Sequence, residues 1–244
     1  MATQTVTGPT RKPRLYDLRS VMEFEEDSRL GAFQAVTYDP EPCGTPRTTI
    51  ALCWEDQAEK GEKTGDGTDW ANAIMDPFVQ YAGVSCYMGE GQDFADRARA
   101  ILDGGDDDEI GGRIAAWAIA NGQAVDVGAK LGDALANVEQ AIRAGYLGQG
   151  IILVNARTAT ILGESGGLSA KDGILQTPLG TPIAVSSEVG VGVVIGLGAT
   201  KVVHSPTREH EANDHRNNTA LAIAERIYTV LVDCDFAVHA SPLT

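Results

Sequence analysis

Gly163-Glu164-Ser165-Gly166-Gly167 has the spacing of a nucleophile elbow, in which a serine at a sharp turn presents its hydroxyl to a histidine. Such a serine needs an imidazole within hydrogen-bond reach to take its proton. All four histidines, His204, His210, His215 and His239, follow Ser165, an order that a Ser…Asp…His triad allows. The surroundings argue against it. Only 79 residues follow Ser165, the flanking Gly-Gly reads as loop, and no HGGG-type oxyanion segment precedes it. A serine hydrolase using Ser165 is therefore the alternative reading.

Three other clusters invite chemistry and fall short. Gly190-Val191-Gly192-Val193-Val194-Ile195-Gly196 approaches a dinucleotide fingerprint, but its third glycine is one position late and sits inside an expected strand. His210 and His215 are five apart in the polar stretch Arg208–Asn217, read as a loop, and that spacing does not bring two imidazoles to one ion on a helix. Asp106, Asp107, Asp108 and Glu109 lack the alternating carboxylates of a calcium loop, and acids at a helix start have a sufficient role in capping it. Cys43, Cys53, Cys86 and Cys234 form no CxxC pair, so four reduced thiols are expected. No catalytic residue, cofactor site or metal site is assigned.

The elements around these residues tell more. The 244 residues carry 19 Lys+Arg against 34 Asp+Glu, a net charge of −15, which argues against a primary nucleic-acid binder. At 43% hydrophobic residues a packed core is assured, and no apolar run approaches the roughly 18 residues of a membrane helix, so a soluble protein is expected. Met1–Met22 reverses the sign: Arg11, Lys12, Arg14 and Arg19 face the single acid Asp17, and Pro9 and Pro13 deny a regular helix. An extended basic arm results, suited to the acidic surface of a second copy. Ala32–Tyr38, Thr48–Trp54 and Phe78–Tyr87 read as strands, and the charged stretch Glu55–Asp69 as a projecting tip carrying Lys60 and Lys63.

Helical spacing follows. Phe94, Ala98, Ile101 and Leu102 share one face, Gly104-Gly105 interrupts, and Ile110, Ile114, Trp117 and Ala118 resume it up to Asn121-Gly122. Leu131, Leu135, Val138 and Ile142 stripe another helix ending at Gly145. Ile151–Val154 is apolar throughout, as in a strand covered on both faces. A short helix at Thr158–Leu162, a turn at Thr177–Gly180, and strands at Ile183–Ser186 and Gly192–Leu197 come next. Tyr228, Val230, Val232, Cys234, Phe236 and Val238 alternate with Thr229, Asp233, Asp235 and His239, predicting one long strand with a wet face.

This order of elements, with Val193–Ala199, Arg208–Asn217, Ala224–Pro242, Asp76–Cys86 and Thr177–Pro182, resembles the tailed-phage major capsid protein family, closest to capsid proteins of phages infecting actinobacteria. The resemblance implies an α+β Hong Kong 97-type capsid fold. Its N-terminal arm would be residues 1–30, its extended β-hairpin loop 31–75, its peripheral domain with spine helix 76–124, its axial domain 125–199, and its return through the peripheral domain 200–244. The family keeps its spine helix continuous, so Gly104-Gly105 is a departure. The covalent cross-link of some members is not carried over, because Glu225 and Val232 occupy the positions of its Asn and acid.

What the resemblance implies is a structural subunit, not an enzyme. It would self-assemble into hexamers and pentamers of an icosahedral virion head that encloses double-stranded DNA without sequence-specific binding. A separate scaffolding protein, a portal and a decoration protein would be its partners, no membrane would be involved, and assembly would take place in the host bacterial cytoplasm. Arg11, Lys12, Arg14, Arg19, Lys60 and Lys63 are the candidates for contacts between subunits. Truncating Met1–Arg19 is expected to weaken assembly and leave the subunit folded. A minor capsid or vertex protein of the same fold is a further alternative.

Overall fold

The computed structural model describes residues 14–30, 37–38, 71–72, 77–87 and 93–241. A single helical turn at Leu18–Ser20 is followed by β1 (Glu23–Glu26), β2 (Thr37–Tyr38), β3 (Ala71–Asn72), β4 (Phe78–Tyr87), α1 (Phe94–Asn121) and β5 (Gln123–Ala124). Then come α2 (Leu131–Gly145), β6 (Ile151–Val154), α3 (Ala156–Glu164), β7 (Ser169–Lys171), β8 (Ile174–Gln176) and β9 (Pro182–Val185). The chain closes with β10 (Val194–Leu197), β11 (Thr200–His204), β12 (Arg208–Asp214), β13 (Thr219–Val232) and β14 (Ala237–Ala240).

β13 is the axis of a five-stranded sheet. Its 14 residues span about 46 Å. β4 runs antiparallel along one side, from Thr219↔Tyr87 to Tyr228↔Phe78. On the other side β12 and then β11 pair in succession, and β1 adds parallel outside β11. A seven-stranded sheet has the order β5-β14-β10-β6-β9-β8-β7. Its centre explains the apolar run Ile151–Val154. Ile151 and Leu153, with Ile195 and Leu197, face Ile110 and Ile114 of α1. Ile152 and Val154, with Val194, face Val138 and Ile142 of α2. Both faces are thus covered, at about 1.5–3 kcal/mol for each large side chain removed from water. Gly196 permits the close approach, since a Cβ there would lie 2.8 Å from Ile142, Val138 and Val238. β2 and β3 pair with each other and so bring together the two ends of segment 39–70.

Several expectations need correction. α1 is one helix of 28 residues, with no break at Gly104-Gly105. Ala98, Leu102, Asp106, Ile110, Ile114 and Ala118 recur every fourth residue and are all buried, and that continuous stripe outweighs a glycine cost of about 1 kcal/mol each. The acids Asp106–Glu109 therefore lie in mid-helix and cap nothing. Arg208–Asn217 is not a loop, because β12 occupies most of it; lacking a buried face, it shows no alternation in sequence. The alternation from Tyr228 to Val238 crosses two elements. β13 ends at Val232, a turn at Asp233–Asp235 with positive φ at Cys234 (58°) and Asp235 (48°) follows, and β14 joins the other sheet. The turn preserves the parity of the pattern, so the pattern cannot reveal it. Thr229 is also fully buried rather than wet, opposite Val203 of β11. Cys234 is disulfide-bonded, against the expectation of four free thiols.

The described part of the arm packs on the body. Leu18 is fully buried and Met22 is 5% exposed, both against Ile110 and Ile114. Truncation through Arg19 would remove Leu18 and open the core, whereas removal of residues 1–13 spares both Leu18 and the Arg14–Asp108 pair. The reading of Ala32–Tyr38, Thr48–Trp54 and Glu55–Asp69 falls outside the described residues, apart from β2.

Candidate functional site

The densest polar cluster joins the basic segment to α1 and β13. Asp106 is 1% exposed, and its Oδ2 accepts from Arg19 Nη2 at 2.6 Å, from the Tyr228 hydroxyl at 2.9 Å and from Arg226 Nη1 at 3.3 Å. Arg226 also donates to Thr207 Oγ1 at 2.6 Å, to the Tyr228 hydroxyl at 3.0 Å and to Asp103 Oδ1 at 2.9 Å. Arg19 stacks on the Phe24 ring at 4.3 Å and forms an ion pair with Asp107 at 3.1 Å. Arg14 pairs with Asp108, which also accepts the Ser187 N–H at 3.1 Å.

The electrostatics follow from burial. Removal from water pushes the Asp107 carboxyl up to about 7, against the pull of Arg19. Asp108 goes the other way: burial opposes it, but the Ser187 N–H and Arg14 hold its carboxyl below the usual range. The Tyr228 phenol is driven up, first by burial and then by Asp106. This network of ion pairs and hydrogen bonds joins three separate parts of the chain. It is a clamp that holds residues 14–22 to the helix and the long strand.

Of the residues nominated for contacts between copies, Arg14 and Arg19 are engaged within the chain by these acids. Arg11, Lys12, Lys60 and Lys63 lie outside the described residues. Ser165 caps the C-terminus of α3, and its hydroxyl donates to the Leu162 carbonyl at 2.8 Å. It follows a helix, whereas a nucleophile elbow joins a strand to a helix. The histidines have other neighbours: His204 lies against the Ser205 carbonyl, His239 against Ser241, and His210 within 3.4 Å of Glu225. Among the described residues, no three His, Cys, Asp or Glu side chains are grouped to hold a metal ion. No helix among them is long and apolar enough to cross a membrane.

Sequence reasoning missed the centre of the clamp. Asp106 stands four residues from both Leu102 and Ile110, so a continuous helical stripe would have exposed it as a buried acid requiring cations. Reading Gly104-Gly105 as a break hid that signal.

Neither a family model nor a curated protein sequence matches the chain. Solved structures do. A chain of Mycobacterium phage Che8 superposes with a TM-score of 0.59 at 14% identity, covering 99% of this chain and 97% of the other. The capsid of a native GTA particle gives 0.59 at 12% identity, with 98% and 93% covered. The holo-SrpI encapsulin complex from Synechococcus elongatus PCC 7942 gives 0.57 at 10% identity, with 98% and 92% covered. At such identities the shared property is the fold, over nearly the whole length of each chain. It is the α+β Hong Kong 97-type capsid fold.

Proposed function

We propose, from that fold, that the chain is a structural subunit of a tailed-phage virion, building the hexamers and pentamers of an icosahedral head around double-stranded DNA. The observation that carries this reading is the end-to-end match with a phage chain, at 99% and 97% coverage. In this reading the five-stranded sheet with α1 forms the peripheral domain, and the seven-stranded sheet with α2 and α3 the axial domain. The segment closed by the β2–β3 pair is the extended loop. Kinship with phages of actinobacteria rests on the sequence resemblance and on the mycobacterial origin of that phage.

Function then lies in repeated contact. Each copy presents heterologous surfaces whose repetition closes rings and then a shell. Many modest contacts per subunit give a durable container without one tight interface. Arg11, Lys12, Lys60 and Lys63 are the proposed contact residues. The net charge of −15 discourages packaged DNA from adhering to the wall. A separate scaffolding protein, a portal and a decoration protein are the proposed partners, with assembly in the host cytoplasm.

Negative-stain microscopy and sedimentation of the purified protein test this reading. Rings or closed particles are the expected result, and a 25.7 kDa monomer at all concentrations and salt conditions would overturn it. Copy number per virion separates a major from a minor or vertex subunit. A fluorophosphonate probe is expected to leave Ser165 unlabelled.

A further inference from the structure

Residues 14–22 lie as a strap that ties β9 of one sheet to α1, and the strap is seated under strain. Tyr16 is held at φ 66°, in the left-handed region that few residues other than glycine adopt, while its carbonyl accepts the Val185 N–H of β9 at 2.7 Å. Two residues on, Leu18 is buried against Ile110 and Ile114 of α1. Between them stands Asp17, whose side chain comes within hydrogen-bond reach of Asp107 on the helix. Two ionised carboxylates can only accept, so this contact requires a proton between them.

The surrounding cations do not replace that proton. Arg19 Nε lies 3.1 Å from Asp107, but the same guanidinium also serves Asp106 at 2.6 Å. Arg226 of β13 is engaged by Asp103 and Asp106, and Arg14 by Asp108. The Tyr228 hydroxyl donates to Asp106 and adds no charge. Farther out, Arg113 is paired with Glu109, Lys201 of β11 with Glu23 and Glu25 of β1, and Glu188 packs against Gly112. Asp17, Asp103, Asp106, Asp107 and Asp108 thus share Arg14, Arg19 and Arg226. Partly buried acids that outnumber their cations retain a proton more readily than acids in water.

We propose that one proton held between Asp17 and Asp107 fastens this strap, so that residues 14–22 open more readily in neutral than in mildly acidic solution. Seated, the Asp107 carboxyl is pushed up to about 7 by burial; opened into water it returns toward its ordinary 3.8. Opening therefore grows from about pH 4 to about pH 7 and levels off above that. The strap belongs to the single subunit whether or not copies build a shell, so failure of the test leaves the reading of function intact. Hydrogen–deuterium exchange of the full chain provides the test. The Val21 and Met22 N–H groups donate to the Leu18 carbonyl at 3.1 and 2.8 Å and report on the strap, while the amides of β10 report on the whole fold. Corrected for the intrinsic rate, strap exchange is expected to rise about tenfold from pH 5 to pH 8, and to run ahead of β10 at pH 8. Asp107→Asn, whose amide donates to Asp17 at any pH, is expected to abolish the rise. Asp17→Asn is expected to cut it to about a third or less, and serves if the first variant does not fold. A wild-type rise below about threefold, strap and β10 exchanging at one rate, or a full rise in either variant would overturn the proposal.

Discussion

Asp106 shows how one buried carboxylate can organise distant parts of a chain. It receives a guanidinium from residue 19, another from residue 226 and a phenol from residue 228. Removing one side of such a pair leaves the other uncompensated, which is far more costly than the pair is favourable. Asp106→Asn is therefore expected to destabilise by about 3 kcal/mol, read as a shifted urea midpoint. Its neighbour behaves oppositely. Asp107 has a folded-state value of about 7, above its ordinary 3.8, so the folded protein holds that proton more tightly than the unfolded chain does. This group consequently destabilises the fold as pH rises from about 4 to about 7. Asp107→Asn is expected to gain stability over wild type at pH 8, with the difference fading below about pH 4; an equal difference at both values would refute this account. Neither role was visible from residue type. Four acids in a row read as a solvated cap, and only their register on a continuous helix distinguishes the buried first from the exposed fourth.

At the scale of elements, strands with one chemistry per face and helices with a clean stripe were legible. β4, α2 and β6 follow directly from their apolar patterns. The failures share a cause: local pattern is blind to what covers a segment. β12 has no buried side, β13 has two buried sides around Val230, and α1 continues through two glycines because both sheets pack along it. Those glycines differ in kind from the pair that follows them. A Cβ at Gly105 would meet nothing within 4 Å, whereas at Gly111 it would lie 2.4 Å from Ser186 Oγ. Gly105→Ala is expected to raise stability by about 0.5–1 kcal/mol. Gly111→Ala is expected to lower it by about 1–3 kcal/mol through overpacking. Thermal melts of the two variants, moving in opposite directions, check the assignment.

For the whole molecule, the order of elements was the legible property, and it led to the fold although no curated sequence matches. The N-terminal boundary was not legible, because charge and proline masked two core residues, Leu18 and Met22, within a segment that otherwise reads as an arm. A corrected truncation follows. Removing residues 1–13 is expected to leave a folded subunit with weakened assembly, and removing residues 1–19 to unfold it, as circular dichroism and sedimentation will distinguish. The placement of β13 has a temporal consequence. β4, β11 and β12 all pair with it, β1 reaches the sheet through β11, and all four strands precede it in the chain. While the ribosome is still translating, every one of those strands waits without its template. The five-stranded sheet can close only after β13 itself has been made, so the nascent chain emerges with its edges open, and a product that stalls before β13 has nowhere to put them.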